Sequence, residues 1–168
     1  MDTCEQFKEY IRHDYISNQF YVTLFSNASR KIYKDNTLAA FTVKLAQPID
    51  LGTNENWEVG LCEITCPPPT AGTLKPVLIV GDTNVIVYCN LISQQFVGEN
   101  AVRCLRSFIF PSALCQHVFK EVYYIPVEQR RFQDIRIEFL TLQGKRVSFK
   151  DSKNPTKVIL HFRKNSQR

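Results

Sequence analysis

Gln133-Asp134-Ile135-Arg136-Ile137-Glu138-Phe139-Leu140 is the stretch on which the fold turns. Ile135, Ile137 and Phe139 alternate with Arg136, Glu138 and Leu140. A period of two places successive side chains on opposite faces of a strand. The pattern returns in 157–163 (KVILHFR), where Val158, Leu160 and Phe162 share one face and Ile159, His161 and Arg163 the other. Working outward, strands are expected at 20–25, 39–45, 57–65, 75–80, 84–92, 102–110 and 146–149, and no long helical periodicity competes with them. Eight or nine short β-rich segments separated by turns indicate an all-β sandwich or barrel. Alternation assigns Val59, Leu61, Ile86, Ile135, Ile137, Val158 and Leu160 to its interior.

The separators carry turn chemistry: Asp35-Asn36, Asp50 to Asn54, Gly81-Asp82, Gly98-Glu99-Asn100 and Gln143-Gly144-Lys145. Pro67-Pro68-Pro69 cannot continue a ladder, because proline has no N–H to donate, and reads as a stiff loop. Two segments carry helical signals. Phe7, Ile11 and Tyr15 fall four apart, so 3–17 reads as a short amphipathic helix or a docking arm. Pro111 stands at a suitable first helical position for 111–118.

With 168 residues, 44% hydrophobic and 22% charged, the composition excludes disordered and fibrous classes and supports one core. The expected organisation is an arm or short helix at 1–18, one domain at 19–164 and a basic tail at 165–168. No apolar run reaches the ~18 residues of a membrane span, and the first ten residues lack the features of a secretory leader. A soluble protein made inside a cell is the expectation. Free thiols are then expected at Cys4, Cys62, Cys66, Cys89, Cys104 and Cys115. In an extended strand Cys62 and Cys66 would point the same way as Ile64, as two small buried residues.

Net charge is +5 and unevenly spread. From Gly144 onward eight Lys or Arg face one acid, Asp151, which leaves 13 basic and 15 acidic residues before it. Lys145, Arg146, Lys150, Lys153, Lys164 and Arg168 are therefore the candidates to face nucleic acid or an acidic partner. Solvated strand faces with a basic tail account for the same residues. The chain has no nucleophile elbow, phosphate loop, dinucleotide fingerprint or H-E-x-x-H motif. Cys115 beside His117 is not a supported triad, and the scattered His13, His117 and His161 form no metal-ligand spacing. No enzyme, metal or cofactor is expected. The sequon Asn27-Ala28-Ser29 needs a secretory route to be used.

Four ordered stretches carry a family resemblance: 21–68 (from YVTLFSNASRKIYKDNTLAAFTVKL through WEVGLCEITCPP), 85–108 (VIVYCNLISQQFVGENAVRCLRSF), 123–149 (YYIPVEQRRFQDIRIEFLTLQGKRVSF) and 157–164 (KVILHFRK). Together they resemble the minor capsid, or penton, protein of Polintons (Maverick elements) and adintovirus-like viruses. Phe25 stands where the family pattern has proline, and Cys66-Pro67 replaces an aromatic ending. The resemblance implies a single jelly-roll sandwich of two antiparallel four-stranded sheets. It also implies homopentamers at the fivefold vertices of an icosahedral virion, beside a double-jelly-roll major capsid protein. Synthesis in the host cytoplasm, assembly in the nucleus and non-specific contact with packaged DNA go with that role. The competing reading from the residues is a monomeric β-sandwich module binding carbohydrate or nucleic acid.

Overall fold

The computed structural model describes residues 18–66, 84–109, 116–149 and 153–165. Eleven strands follow one another: β1 (Gln19–Phe25), β2 (Ala40–Asp50), β3 (Trp57–Thr65), β4 (Asn84–Cys89), β5 (Gln95–Val97), β6 (Asn100–Val102), β7 (Cys104–Ile109), β8 (Gln116–Val118), β9 (Tyr124–Pro126), β10 (Arg131–Thr141) and β11 (Lys157–Lys164). No helix occurs among the described residues.

The strands form two antiparallel sheets. The first runs β1-β11-β3-β8, with β9 also on β3, and the second β2-β10-β4-β7. In chain order β1 belongs to the first sheet, β2 to the second, β3 to the first and β4 and β7 to the second. The chain then returns for β8 and β9, crosses for β10 and crosses back for β11. Crossing at almost every step matches the double Greek-key winding expected of a jelly roll. The first sheet has five strands where four were expected. One edge of β3 carries β9 along Glu58–Gly60 and β8 along Glu63–Thr65, so two short strands share the fourth position.

Alternation is sharpest in β1, where Phe20, Val22 and Leu24 are buried and the residues between them exposed. The inner faces meet in one apolar cluster that includes Phe41, Leu61, Ile135, Phe139, Leu160 and Phe162. All seven expected interior residues are buried. Ile86 is buried outside the central cluster, on the face opposite Val85 and Val87.

Bulges reset the pattern. In β3 the inward residues are Trp57, Val59 and Leu61, then Ile64, with Cys66 just beyond the strand. The pairing with β11 slips between Ile159 and Leu160, leaving Cys62 as the extra residue. Cys62 is therefore half-buried rather than a second core thiol beside Ile64. A second slip, where β10 meets β2 between Phe132 and Asp134, accommodates Pro48, which has no N–H for a ladder.

Several expected elements change, among them 102–110, which divides at Arg103 between β6 and β7. Residues 116–118 form strand β8, because their backbone completes the edge of β3, while 111–115 of the expected helix lie outside the described residues. Residues 146–149 make a bridge from Arg146 to Leu140 rather than a strand. The segment 84–92 stops as a strand at Cys89, since Asn90 turns and donates from its side chain to the Asp134 carbonyl. The expected strand at 75–80 and the expected helix at 3–17 lie outside the described residues.

Candidate assembly surfaces

Three surfaces of the sandwich carry the chemistry available to a partner. The first is the outward face of the first sheet. Register places Tyr21 of β1, His161 of β11 and Gly60 of β3 in one row, with Tyr124 of β9 next to Gly60. The Tyr21 and His161 rings stack at 4.3 Å. Gln19 Oε1 lies 3.1 Å from His161 Nε2 and can only accept, so Nε2 carries the hydrogen. Nδ1 then accepts from the Tyr124 hydroxyl at 2.8 Å. Burial and the neighbouring Arg163 charge both hold the His161 pKa below its ordinary value. A groove of about 740 Å³ opens beside this row, lined by Glu58, Tyr123, Tyr124, Arg163 and Lys164 among others.

Charge on this face is answered one to one. Lys157 meets Glu63 at 2.6 Å, Arg163 meets Glu58 at 2.5 Å and Lys164 meets Glu55 at 2.7 Å. The Lys164 hydrogen bond lowers the Glu55 pKa, and Lys157 does the same to Glu63. Lys164 also lies over the Trp57 ring, at 5.6 Å, as the last residue of β11.

The second surface is built by the β1–β2 loop, residues 26–39. Its backbone closes through Ser29, whose carbonyl accepts from the N–H groups of Ile32 and Tyr33. Ser29 takes a left-handed φ of 58°, costly for a residue with a Cβ. Side chains of the loop then cap the open edge of β2. Asn36 Oδ1 accepts from the Thr42 N–H at 2.8 Å, and Ser29 Oγ accepts from the Lys44 N–H at 3.0 Å. Covering an edge this way blocks strand-to-strand aggregation. The Tyr33 hydroxyl anchors the loop to Asp134 at 2.5 Å. Between the loop and 146–149 lie two hollows, of about 710 and 530 Å³, that share Arg146.

The third surface is the β5–β6 hairpin, outside both main sheets. Gly98, at φ +60°, supplies the first corner of its two-residue turn. Phe96 stands 84% exposed on this hairpin.

The fold divides the basic C-terminal run between faces. Arg146 reaches the second sheet, 3.6 Å from Glu138, which also pairs with Arg136. Lys164 is on the first sheet. Lys145 and Lys153 are exposed and make no salt bridge among the described residues. Lys150 and Arg168 lie outside the described residues. Arg30, Lys34 and Arg136 join Arg146 around the two hollows, and charge counted before and after Gly144 misses them. The local run Arg30-Lys31-Ile32-Tyr33-Lys34 was the signal that could have shown Arg30 and Lys34; Arg136 joins them only through the sheet.

Among the described residues no group of three His, Cys, Asp or Glu could hold a metal. His117 packs against Phe108 and Phe119, and Cys115 lies outside the described residues. Cys62, Cys89 and Cys104 are free thiols. No helix among the described residues is long and apolar enough to cross a membrane.

No protein-family model matches the chain, and no curated protein matches it. Among solved structures it is similar to the crystal structure of the mavirus penton protein. The match has a TM-score of 0.53 at 8% sequence identity and covers 88% of this chain and 100% of that one. At that identity the likeness is one of fold: a penton-like, all-β, antiparallel sandwich.

Proposed function

We propose that this chain is a structural protein of an icosahedral capsid, of the vertex or penton kind, and acts without catalysis. The observation that carries the reading is the fold likeness to a penton protein along that protein's entire length. The strand order supports it, because it is the winding expected of a single jelly roll. The four motif stretches add the Polinton and adintovirus-like relatives as the closer kin. On this reading five copies form a ring and dock with a double-jelly-roll major capsid protein. Made in the cytoplasm and assembled in the nucleus, the ring ends at the virion vertex with packaged DNA beneath it. A closed ring needs two different, complementary surfaces on each copy. The outward face of the first sheet and the β5–β6 hairpin, with its exposed Phe96, are two different surfaces available for such contacts.

The test is mass measurement in solution, alone and after co-expression with the cognate major capsid protein. Fivefold rings, or entry into particles at vertices, are expected. A strict monomer that never enters particles would overturn the proposal in favour of a monomeric binding module.

A further inference from the structure

The trough between the β1–β2 loop and residues 146–149 gathers several cations around two adjoining hollows. Arg30, Lys34, Arg136 and Arg146 line its two hollows, against Asp35. Beneath them Glu138 is shared by Arg136 and Arg146. Counting Glu138 and also Asp134, which holds Tyr33 of the lining, the trough keeps a surplus of one positive charge, whereas the groove on the first sheet keeps none.

Its geometry is prepared in advance. The loop is held to β2 by Ser29 and Asn36 and to β10 by Tyr33, so Arg30 and Lys34 are displayed from a fixed backbone. The left-handed Ser29 is kept in place by those same contacts, and strain retained at such a turn marks a site worth testing for function. Arg136 and Arg146 already converge on one carboxylate, and Arg146 stays 58% exposed, with guanidinium donors still open to a second anion.

We propose that this trough binds nucleic acid through its phosphates, without reading bases. Two hollows meeting at Arg146 make an extended track, which fits a linear polyanion better than a single acidic side chain. Of the aromatic side chains in it, Phe41 and Phe149 are buried and Tyr33 is half-buried and tied to Asp134, so they make poor stacking platforms for bases. Nothing in this binding requires a ring. The capsid reading enters only to supply a packaged genome as the nearby nucleic acid, and the site then lies largely outside the basic C-terminal run.

The test is fluorescence anisotropy with a labelled DNA duplex of about 20 base pairs across about 50–300 mM NaCl. Arg30→Ser/Lys34→Ser/Arg146→Ser should weaken binding at least tenfold and reduce the slope of log affinity against log salt by about 2.7, near 0.9 per lost contact. Lys145→Ser/Lys153→Ser, outside the trough, should change affinity less than about threefold on the same scale. If the triple variant fails to fold, Arg30→Ser/Lys34→Ser replaces it, with about two thirds of the slope change expected. Equal losses in the trough and control variants, or no loss in the trough variants, would overturn the proposal. So would equally tight competition by polyglutamate of matched charge, which would assign the trough to an acidic protein. Mass measurement on the same samples separates the two proposals: rings without DNA binding remove only this one, and DNA-binding monomers remove only the vertex reading.

Discussion

Gly60 lies in β3 where the first sheet comes closest to the segment between β8 and β9. A Cβ built there would sit 2.3 Å from Val122 Cγ1 and 2.9 Å from the Tyr123 carbonyl oxygen. Gly60→Ala should cost about 1–3 kcal/mol in chemical denaturation, as overpacking does. Adding Val122→Ala should recover only part of it, since the backbone oxygen remains. His161, in the same row, is the group expected to set the acid response below neutrality. Its folded pKa lies below the unfolded value, so the unfolded chain binds more protons as the pH falls through the ordinary histidine range. Stability present near neutrality is lost as the pH falls through ~6.5 toward the folded value. Protonation also turns Nδ1 into a donor facing the Tyr124 hydroxyl, beside the Arg163 charge. The melting temperature should therefore fall between about pH 7 and 5 in the wild type, and less in His161→Gln. An equal fall in both would show that His161 is not the group responsible. Cys89 gives a third residue-scale prediction, because burial pushes its pKa up to about 12. Thiol alkylation of the native protein near pH 8 should modify half-buried Cys62 well before Cys89.

At the scale of elements, buried polar staples hold the sandwich ends. Ser26, just after β1, donates its N–H to the Thr156 carbonyl at 2.9 Å, and its hydroxyl accepts from the Thr156 N–H at 2.9 Å. The Thr156 hydroxyl donates to the Leu38 carbonyl at 2.7 Å. Ser26 and Thr156 are both fully buried. Thr156→Val keeps the shape but leaves the Leu38 carbonyl without this donor, so a loss of about 1–3 kcal/mol is expected from equilibrium unfolding. A change within error would mean that water takes over the carbonyl. Along the edge between β7 and β9 a different device operates. The Arg106 guanidinium lies 4.3 Å from the Phe119 ring centroid and 4.1 Å from that of Tyr123, and donates to the Glu121 carbonyl. This binds the 119–123 connection to the second sheet through cation–π contact.

For the whole molecule, the prediction concerns what survives salt. Near 1 M the screening length shrinks to about 3 Å, which weakens exposed charge contacts but not apolar burial. Rings held by sheet faces should persist at ~1 M NaCl, whereas DNA should leave the trough. Dissociation of both together would mean that subunits are joined mainly by exposed charge. The intact fold should need no cross-link: reductant should leave the melting temperature within ~5 °C, as free Cys62, Cys89 and Cys104 imply.

The sequence alone determined the class of fold and most of its interior. Residue alternation is a local property, so Ile135, Ile137, Phe139, Val158, Leu160 and Phe162 announce their inward face without any knowledge of partners. Turn residues likewise mark where strands end. Three things only the tertiary structure decided. The bulge that turns Cys62 away from Ile64 depends on the slip of β11 against β3, which no property of β3 encodes. Residues 116–118 became a strand because the edge of β3 needed partners, and an open edge exists only after the sheet has formed. Charge was redistributed for the same reason. Lys157, Arg163 and Lys164, close in sequence to Arg146, met Glu63, Glu58 and Glu55 across the first sheet, while Arg30 and Lys34, over a hundred residues earlier, came to share a trough with it. Net charge along a chain says which cations exist; pairing in three dimensions says which remain available to bind.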